Sequence, residues 1–382
     1  MKIGFLTQQY PHQKTGTSGG IGTAIKNLAA ALTLAGHQAV ILIYEQPQDA
    51  VFEDAGVVFY QIKNVKSKIG SGYFTRKKIE KLINRLHGDG IIDIVEAPDW
   101  TGISSFIRPE CPLVIRENGS DTYFCHLEKR KSKRKNRFHE KTALQNADGI
   151  MAVSQFTGDV TNEVFNLKRK FTVIPNSIDL PAFPVNEGVA QEKVILYFGN
   201  LIRKKGALEL PLIFNEVFKS HPDVKLQLVG KDIVDIQTGT QSTWALMQPL
   251  FDAAALKNVQ YFGGVDYEKV FEFIKNADVC VFPSFAEAFP VSWLEAMALE
   301  KAIVASDIGW ADEMLEDGVN GFLVNPKAHL LFAERIKMLL EDKKKNAGFG
   351  KKAREKVETA FSSAVIARKS IAFYEKIIQS KK

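Results

Sequence analysis

Cysteine is scarce in this chain of 382 residues: Cys111, Cys125 and Cys280 are all it has. Their odd number and lack of metal-ligand spacing exclude a disulfide scaffold and suit a reducing compartment. No apolar run approaches the length that crosses a membrane. The opening MKIGFLT reads as a strand start and not as a signal peptide. The glycines near the start miss the dinucleotide fingerprint, because a G-x-G-x-x-G frame on Gly20 and Gly22 needs a third glycine where Ile25 stands. No G-x-x-x-x-G-K-S/T loop occurs, and no D-x-D motif stands in a metal-binding setting. His12, His37, His87, His126, His139, His221 and His329 show no metal spacing. There is no repeat of solenoid period and no low-complexity segment.

What remains is an ordinary globular composition, 45% hydrophobic and 25% charged, with a net charge of +6. The length allows two domains, each with its own core. Strand-like and helix-like segments alternate, which implies an α/β fold with parallel sheets and crossover helices. In the first half, strands are expected near Ile3–Thr7, Ala39–Tyr44, Val57–Gln61, Ile91–Glu96, Leu113–Arg116, Gly149–Val153 and Phe171–Ile174. A helix over Ile21–Ala35 is closed by Gly36. A less regular stretch from Pro175 to about Glu192 reads as an interdomain linker. A second series follows, including a strand at Val279–Phe282 and helices at Tyr267–Asn276 and Val291–Leu299. The last helix, near Ala364–Ile378, stands outside that pattern.

Three motifs carry chemistry. The first is Pro283 to Met297, PSFAEAFPVSWLEAM. Here a buried strand ends, Pro290 opens a helix at its first position, and Glu287 and Glu295 fall on either side of that start. The free N–H groups of Val291, Ser292 and Trp293 would face a cleft at the carboxyl end of the strand, an anion site suited to a diphosphate. Two carboxylates beside a phosphate make sense if they grip hydroxyl groups on either side of it, as a ribose–diphosphate–sugar ligand requires. The second motif is FGNLIRKKG, Phe198 to Gly206. It sets a basic cluster at another strand's carboxyl end, where positive charge would stabilise a leaving diphosphate. The third is GTSGGIG, Gly16 to Gly22, where glycine lets backbone come close to a ligand. Each has a plainer alternative: a strand-to-helix turn with solvated glutamates, a solvated basic turn, and a loop needing glycine only to turn.

The Glu287–Glu295 spacing resembles the E-x7-E signature of the retaining family-4 glycosyltransferases, which have the two-domain GT-B fold. ADGIMAVS from Ala147, VIPNSID from Val173, the Gly309–Glu313 segment and DGVNGFLV from Asp317 resemble further segments of that family. The resemblance implies an N-terminal acceptor-binding Rossmann-like domain over 1–175, completed by 364–382, and a C-terminal donor-binding domain over 176–363. The two would face each other across a cleft. It implies that Glu295 holds the nucleotide ribose, Glu287 the transferred sugar, and Val291 and Ser292 the diphosphate. Lys205 matches the motif's lysine. The motif's arginine falls on Asn200, so Arg203 or Lys204 would replace it from the same loop. Gly19 and Gly20 match a Gly-Gly that approaches the donor diphosphate, and Val265 lies where the base is contacted. Where the family often has histidine near the sugar, this chain has Asn118, which can hydrogen-bond a hydroxyl but takes no proton near neutral pH.

The resemblance thus implies a retaining, metal-independent hexosyltransferase-type enzyme with no cofactor beyond its nucleotide-diphosphate-sugar donor. Its acceptor would be a glycan or a lipid-linked sugar in surface polysaccharide or lipopolysaccharide biosynthesis. Two other classes stay open: a catalytically silent nucleotide-sugar-binding protein, and another GT-B enzyme such as a nucleotide-sugar epimerase. The departures at Asn118, Asn200, Ala288 and Pro290 keep the silent binder in view. A charge run, KRKSKRKNR from Lys129 to Arg137, follows Tyr123 and Phe124 and precedes Phe138. A second basic stretch, Lys63 to Lys78, contains Tyr73 and Phe74. Basic segments with aromatics suit an anionic membrane surface, and a solvated face is the plainer reading. The expected location is cytoplasmic, with a peripheral place at the inner membrane face left open. Nucleic acid is not an expected partner, since no binding module accompanies the charge.

Overall fold

The computed structural model describes residues 1–16, 19–185 and 193–381. Thr17 and Ser18 of the third motif, residues 186–192 of the expected linker and Lys382 lie outside the described residues. The chain divides into two compact units, Met1–Asp179 with Phe361–Lys382, and Leu180–Ala360.

The first unit is built on eight strands: β1 (Lys2–Thr7), β2 (Gln38–Gln46), β3 (Ala50–Asp54), β4 (Val57–Lys63), β5 (Ile94–Pro98), β6 (Leu113–Glu117), β7 (Gly149–Ala152) and β8 (Thr172–Val173). They lie in the order β3-β4-β2-β1-β5-β6-β7-β8. All neighbours are parallel except β3 and β4, an antiparallel pair at the edge. The central strands are apolar on both faces because helices cover both. Ile3, Phe5, Ile41 and Ile43 pack with Leu28 and Leu32 of the helix Gly20–Leu34 and with Ile366 and Tyr374 of the terminal helix Ser363–Lys381. Leu6, Val40 and Leu42 point the other way, against Ile79, Ile83 and Leu86 of the helix Ser71–Gly88. Adjacent residues thus feed opposite cores, as the strand period of two dictates.

The terminal helix is also fastened by a buried polar triad. Arg116 Nε donates to Glu96 Oε1 at 2.8 Å and its Nη1 to the Ile174 carbonyl at 2.9 Å, while the Tyr374 hydroxyl donates to Glu96 Oε2. All three side chains are buried, so each depends on the others for its hydrogen bonds. The chain leaves this unit at Ile178 and returns at Phe361. There the two passages pair, with Ile178 N–H donating to Phe361 O at 3.1 Å and Ser363 N–H to Ile178 O at 2.9 Å.

The second unit holds six parallel strands: β9 (Val194–Phe198), β10 (Lys225–Val229), β11 (Val259–Tyr261), β12 (Val279–Phe282), β13 (Ala302–Ser306) and β14 (Phe322–Val324). Their order is β11-β10-β9-β12-β13-β14. From β9 the chain moves outward to β10 and β11, then returns to lay β12 on the other side of β9. The order therefore reverses between β9 and β12. Strands that diverge in this way open a crevice at their carboxyl ends, the usual ligand position in such sheets.

Candidate functional site

The first two motifs leave the sheet at that reversal, and the structure joins them. Phe285 N–H donates to the Lys204 carbonyl at 2.7 Å and Ala286 N–H to the same oxygen at 3.2 Å. Gly206 explains how the loops come so near. Its φ is +72°, and a Cβ there would lie 1.9 Å from the Pro283 carbonyl oxygen. Only glycine permits both.

This contact sets Lys205 Nζ 2.6 Å from Glu287 Oε1. Glu295 is buried on the helix Val291–Ala298 and accepts from the Tyr267 hydroxyl at 2.6 Å. Burial pushes its carboxyl up to about 7, against the hydrogen bond from Tyr267 and the charge of Lys205. Tyr267 was not expected as a site residue. Its signal was available, since it opens a helix directly after the Gly263–Asp266 segment that holds the half-buried Val265.

Three expectations need correction. Pro290 is the cap of the helix and not its first residue: its ψ of 123° is extended, and helical geometry starts at Val291. The cap carbonyl then accepts from Trp293 N–H at 3.2 Å, so Trp293 is not a free donor. Val291 and Ser292 keep N–H groups without an acceptor among the described residues. Arg203 is also committed elsewhere. Its Nε and Nη2 donate to Asp235 Oδ1 and Oδ2, both at 2.8 Å, a two-pronged pair that holds the Asp235 carboxyl well below the usual range. Asn200 is exposed, and its carbonyl accepts from the Tyr197 hydroxyl at 2.8 Å.

In the first unit, Gly19 caps the helix Gly20–Leu34, and its N–H donates to Gln9 Oε1 at 2.9 Å. A side chain at Gly20 would meet nothing within 4 Å, so the helix start is open there. Asn118 follows β6. Its backbone N–H donates to Asp99 Oδ1 at 3.1 Å and its Nδ2 to the Arg116 carbonyl at 3.3 Å. Asp99 is fully buried, Oδ2 has no partner among the described residues, and burial pushes the carboxyl up to about 7. Nothing in the chain order marks this group as buried. Among the described residues, no three His, Cys, Asp or Glu side chains stand together in a way that could hold a metal ion. No helix among them is long and apolar enough to cross a membrane.

Two Rossmann-like α/β units, the second with two loops joined at a strand-order reversal, have the architecture of the GT-B glycosyltransferases. Sequence comparison agrees. Residues 18–181 match the Glycosyltransferase Family 4 sequences and 182–356 the Glycosyl transferases group 1 sequences. The chain belongs to this glycosyltransferase family. It is 25% identical to a glycosyltransferase of Methanocaldococcus jannaschii, MJ1607, over 98% of both chains. It is also 25% identical to the capsular polysaccharide biosynthesis glycosyltransferase CapM of Staphylococcus aureus, over 63% of this chain and 64% of CapM. The crystal structure of Anabaena HepE with UDP and glucose superposes with a TM-score of 0.75 at 21% identity, covering 98% of this chain and 99% of HepE.

Proposed function

We propose that this protein is a retaining, metal-independent glycosyltransferase. It moves a hexose from a nucleotide-diphosphate sugar to a glycan or lipid-linked acceptor in polysaccharide biosynthesis. The observation that carries the reading is the meeting of Lys205, Glu287 and Glu295 at the strand-order reversal of the second unit. HepE, of the same fold, was crystallised with UDP and glucose, which supports a uridine donor. CapM, a relative, acts in capsular polysaccharide biosynthesis, which supports the class of product.

In this reading the diphosphate lies against the open N–H groups of Val291 and Ser292. Glu295 accepts from the ribose hydroxyls and Val265 flanks the base. Glu287 accepts from the hydroxyls of the transferred sugar. One N–H of Lys205 is taken by Glu287, and two remain for the leaving phosphate. As the sugar–phosphate bond breaks, negative charge grows on the leaving diphosphate and Lys205 stabilises it. The departing phosphate oxygen takes the acceptor's proton on the same face, so Asn118 needs no basicity. Transfer from a radiolabelled UDP-sugar to a glycan acceptor, with the anomeric configuration of the product read by NMR, tests the proposal. Retained configuration and activity surviving a chelator are expected. Inversion, or full loss with chelator and rescue by magnesium, contradicts it.

A position at the inner face of a membrane has its own support. The two basic stretches meet through an aromatic chain in which Tyr73, Phe106 and Phe138 follow one another at 6.0 and 6.2 Å between ring centroids. Ile69, Tyr73, Phe74 and Phe138 are exposed beside Lys66, Lys68, Lys131, Lys133 and Arg134, which form no ion pairs among the described residues. Tyr123 and Phe124 are buried, so they leave this face. Vesicles containing phosphatidylserine should bind the protein, less so at high salt and after neutralising Lys131, Lys133 and Arg134. Equal binding by the neutralised variant would remove the membrane from the account.

A further inference from the structure

The first unit has a cavity of about 320 Å³ that the donor chemistry does not use. Tyr44 and Glu45 of β2 line it, with Ser71, Gly72 and Arg76 of the helix Ser71–Gly88 and Lys135 and His139 of the helix Arg134–Asn146. Its size is that of a small-ligand site.

Its charge is what stands out physically. Arg76 is 9% exposed and has no carboxylate partner among the described residues. It donates to three carbonyls instead: Nε to Ile103 at 3.0 Å, Nη1 to Gly72 at 3.1 Å and Nη2 to Gly102 at 3.4 Å. Those bonds fix the guanidinium but leave its charge uncancelled and two of its five N–H groups unused. The carbonyls are held in place by a close approach. Gly102 has φ +58°, and a Cβ there would fall 2.2 Å from the His139 backbone carbon, so the turn is pressed onto the second helix. A buried arginine is ordinarily paired.

The other walls add donors. The Tyr44 side chain is 2% exposed and its hydroxyl has no hydrogen-bond partner among the described residues. The helix Ser71–Gly88 starts at this wall, with no side-chain cap and no acidic residue in its first turn. Lys135 is exposed and forms no ion pair among the described residues. His139, whose Nδ1 meets Ser105 Oγ at 2.9 Å, has its pKa lowered by burial, then by Arg76 and Lys135. Glu45, exposed at the rim and held by Gln8, is the one acidic side chain of the lining among the described residues.

We infer that this cavity binds a phosphoryl group carried by the acceptor. The spare N–H groups of Arg76, the ammonium of Lys135, the Tyr44 hydroxyl and the amides of Ser71 and Gly72 supply its donors. They come from several directions, as a tetrahedral phosphate needs and a planar carboxylate does not. Glu45 is left to meet a sugar hydroxyl at the mouth. The inference rests on the proposed transfer reaction only in calling the ligand an acceptor. The phosphoryl group has two sources, a soluble sugar phosphate or a phosphate-linked prenyl lipid.

The test is binding to the whole protein, read by calorimetry and by the His139 ring resonance, which a His139→Gln variant assigns. The probes are glucose 1-phosphate, farnesyl phosphate, glucose and farnesol. At least one phosphate ester should bind and move the His139 signal, while its uncharged partner should not. Tyr44→Phe and Lys135→Gln should each weaken that binding roughly tenfold, as lost hydrogen bonds to a charged group do, without lowering Tm. Tighter farnesyl phosphate identifies the lipid source, and tighter glucose 1-phosphate the soluble one. No binding of either ester, or wild-type affinity in both variants, overturns the inference. Transfer of labelled sugar, measured separately, can fail with this binding intact, in which case the reaction falls and the site stands.

Discussion

The two units share an architecture and differ in how charge is settled at their strand ends. In the second unit the site groups are matched: Lys205 with Glu287, Arg203 with Asp235, Glu295 with Tyr267. In the first unit Arg76 is buried among carbonyl dipoles, Tyr44 has an idle hydroxyl and Asp99 an idle carboxyl oxygen. Matched charges hold a site in shape, as the proposed donor with its phosphates and hydroxyls would need. Unmatched ones mark a place where the ligand must supply the missing sign. The comparison also separates two kinds of arginine, since Arg203 is satisfied by protein and Arg76 is not.

The largest effect should come from Lys205. In the proposed reaction its charge meets negative charge that grows only as the sugar leaves, so Lys205 should act on turnover more than on affinity. Lys205→Ala should lose ~10²–10³ in kcat, the usual cost of one such stabiliser, with Tm nearly unchanged. Steady-state kinetics beside a melting curve decide it, and an unaltered kcat would break the matched-site picture.

Arg203 should behave in the opposite way. Its fork is spent on Asp235, which is 1% exposed, so Arg203→Ala leaves a buried carboxylate without its counter-charge, held by the Thr238 N–H and hydroxyl. Stability should fall by about 1–3 kcal/mol, read from urea unfolding, with kcat reduced far less than in Lys205→Ala. A kcat loss matching that of Lys205→Ala at unchanged stability would return Arg203 to the phosphate.

A smaller effect concerns pH. The Glu295 carboxyl rises from 4.5 to about 7 on folding. The folded state then holds a proton that the unfolded state has released, so stability declines as pH rises from 4.5 through 7 and is flat above. Glu295→Gln should remove that decline, a difference of at most about 3 kcal/mol. Parallel curves for the two proteins across that range would show that the carboxyl is not shifted.

Much of the second unit was legible because its cues are local. The helix Tyr267–Asn276 and the strand Val279–Phe282 agree residue for residue with the periodic pattern. Both site loops follow strands whose apolar runs are unambiguous. β3 was not legible. Its exposed edge residues carry no clear alternation, and its turn uses Ala55 at φ +48° before Gly56, where an alanine gives no turn signal. The exact place of Pro290 is not legible, because a proline suits both the cap it occupies and the first helical position. Arg76 reads in sequence as one more member of a basic stretch. Only the fold shows that Gly102 and Ile103 bury it.

The central claim is that Glu295 and Glu287 divide the donor between nucleotide and sugar. Calorimetry with UDP and with UDP-glucose on the wild type, Glu295→Ala and Glu287→Ala tests it most directly. Glu295→Ala should weaken both ligands. Glu287→Ala should bind UDP as well as the wild type or better, because Lys205 is released to the phosphate, and should lose only what the glucose adds. Equal losses of UDP affinity in both variants would contradict the account.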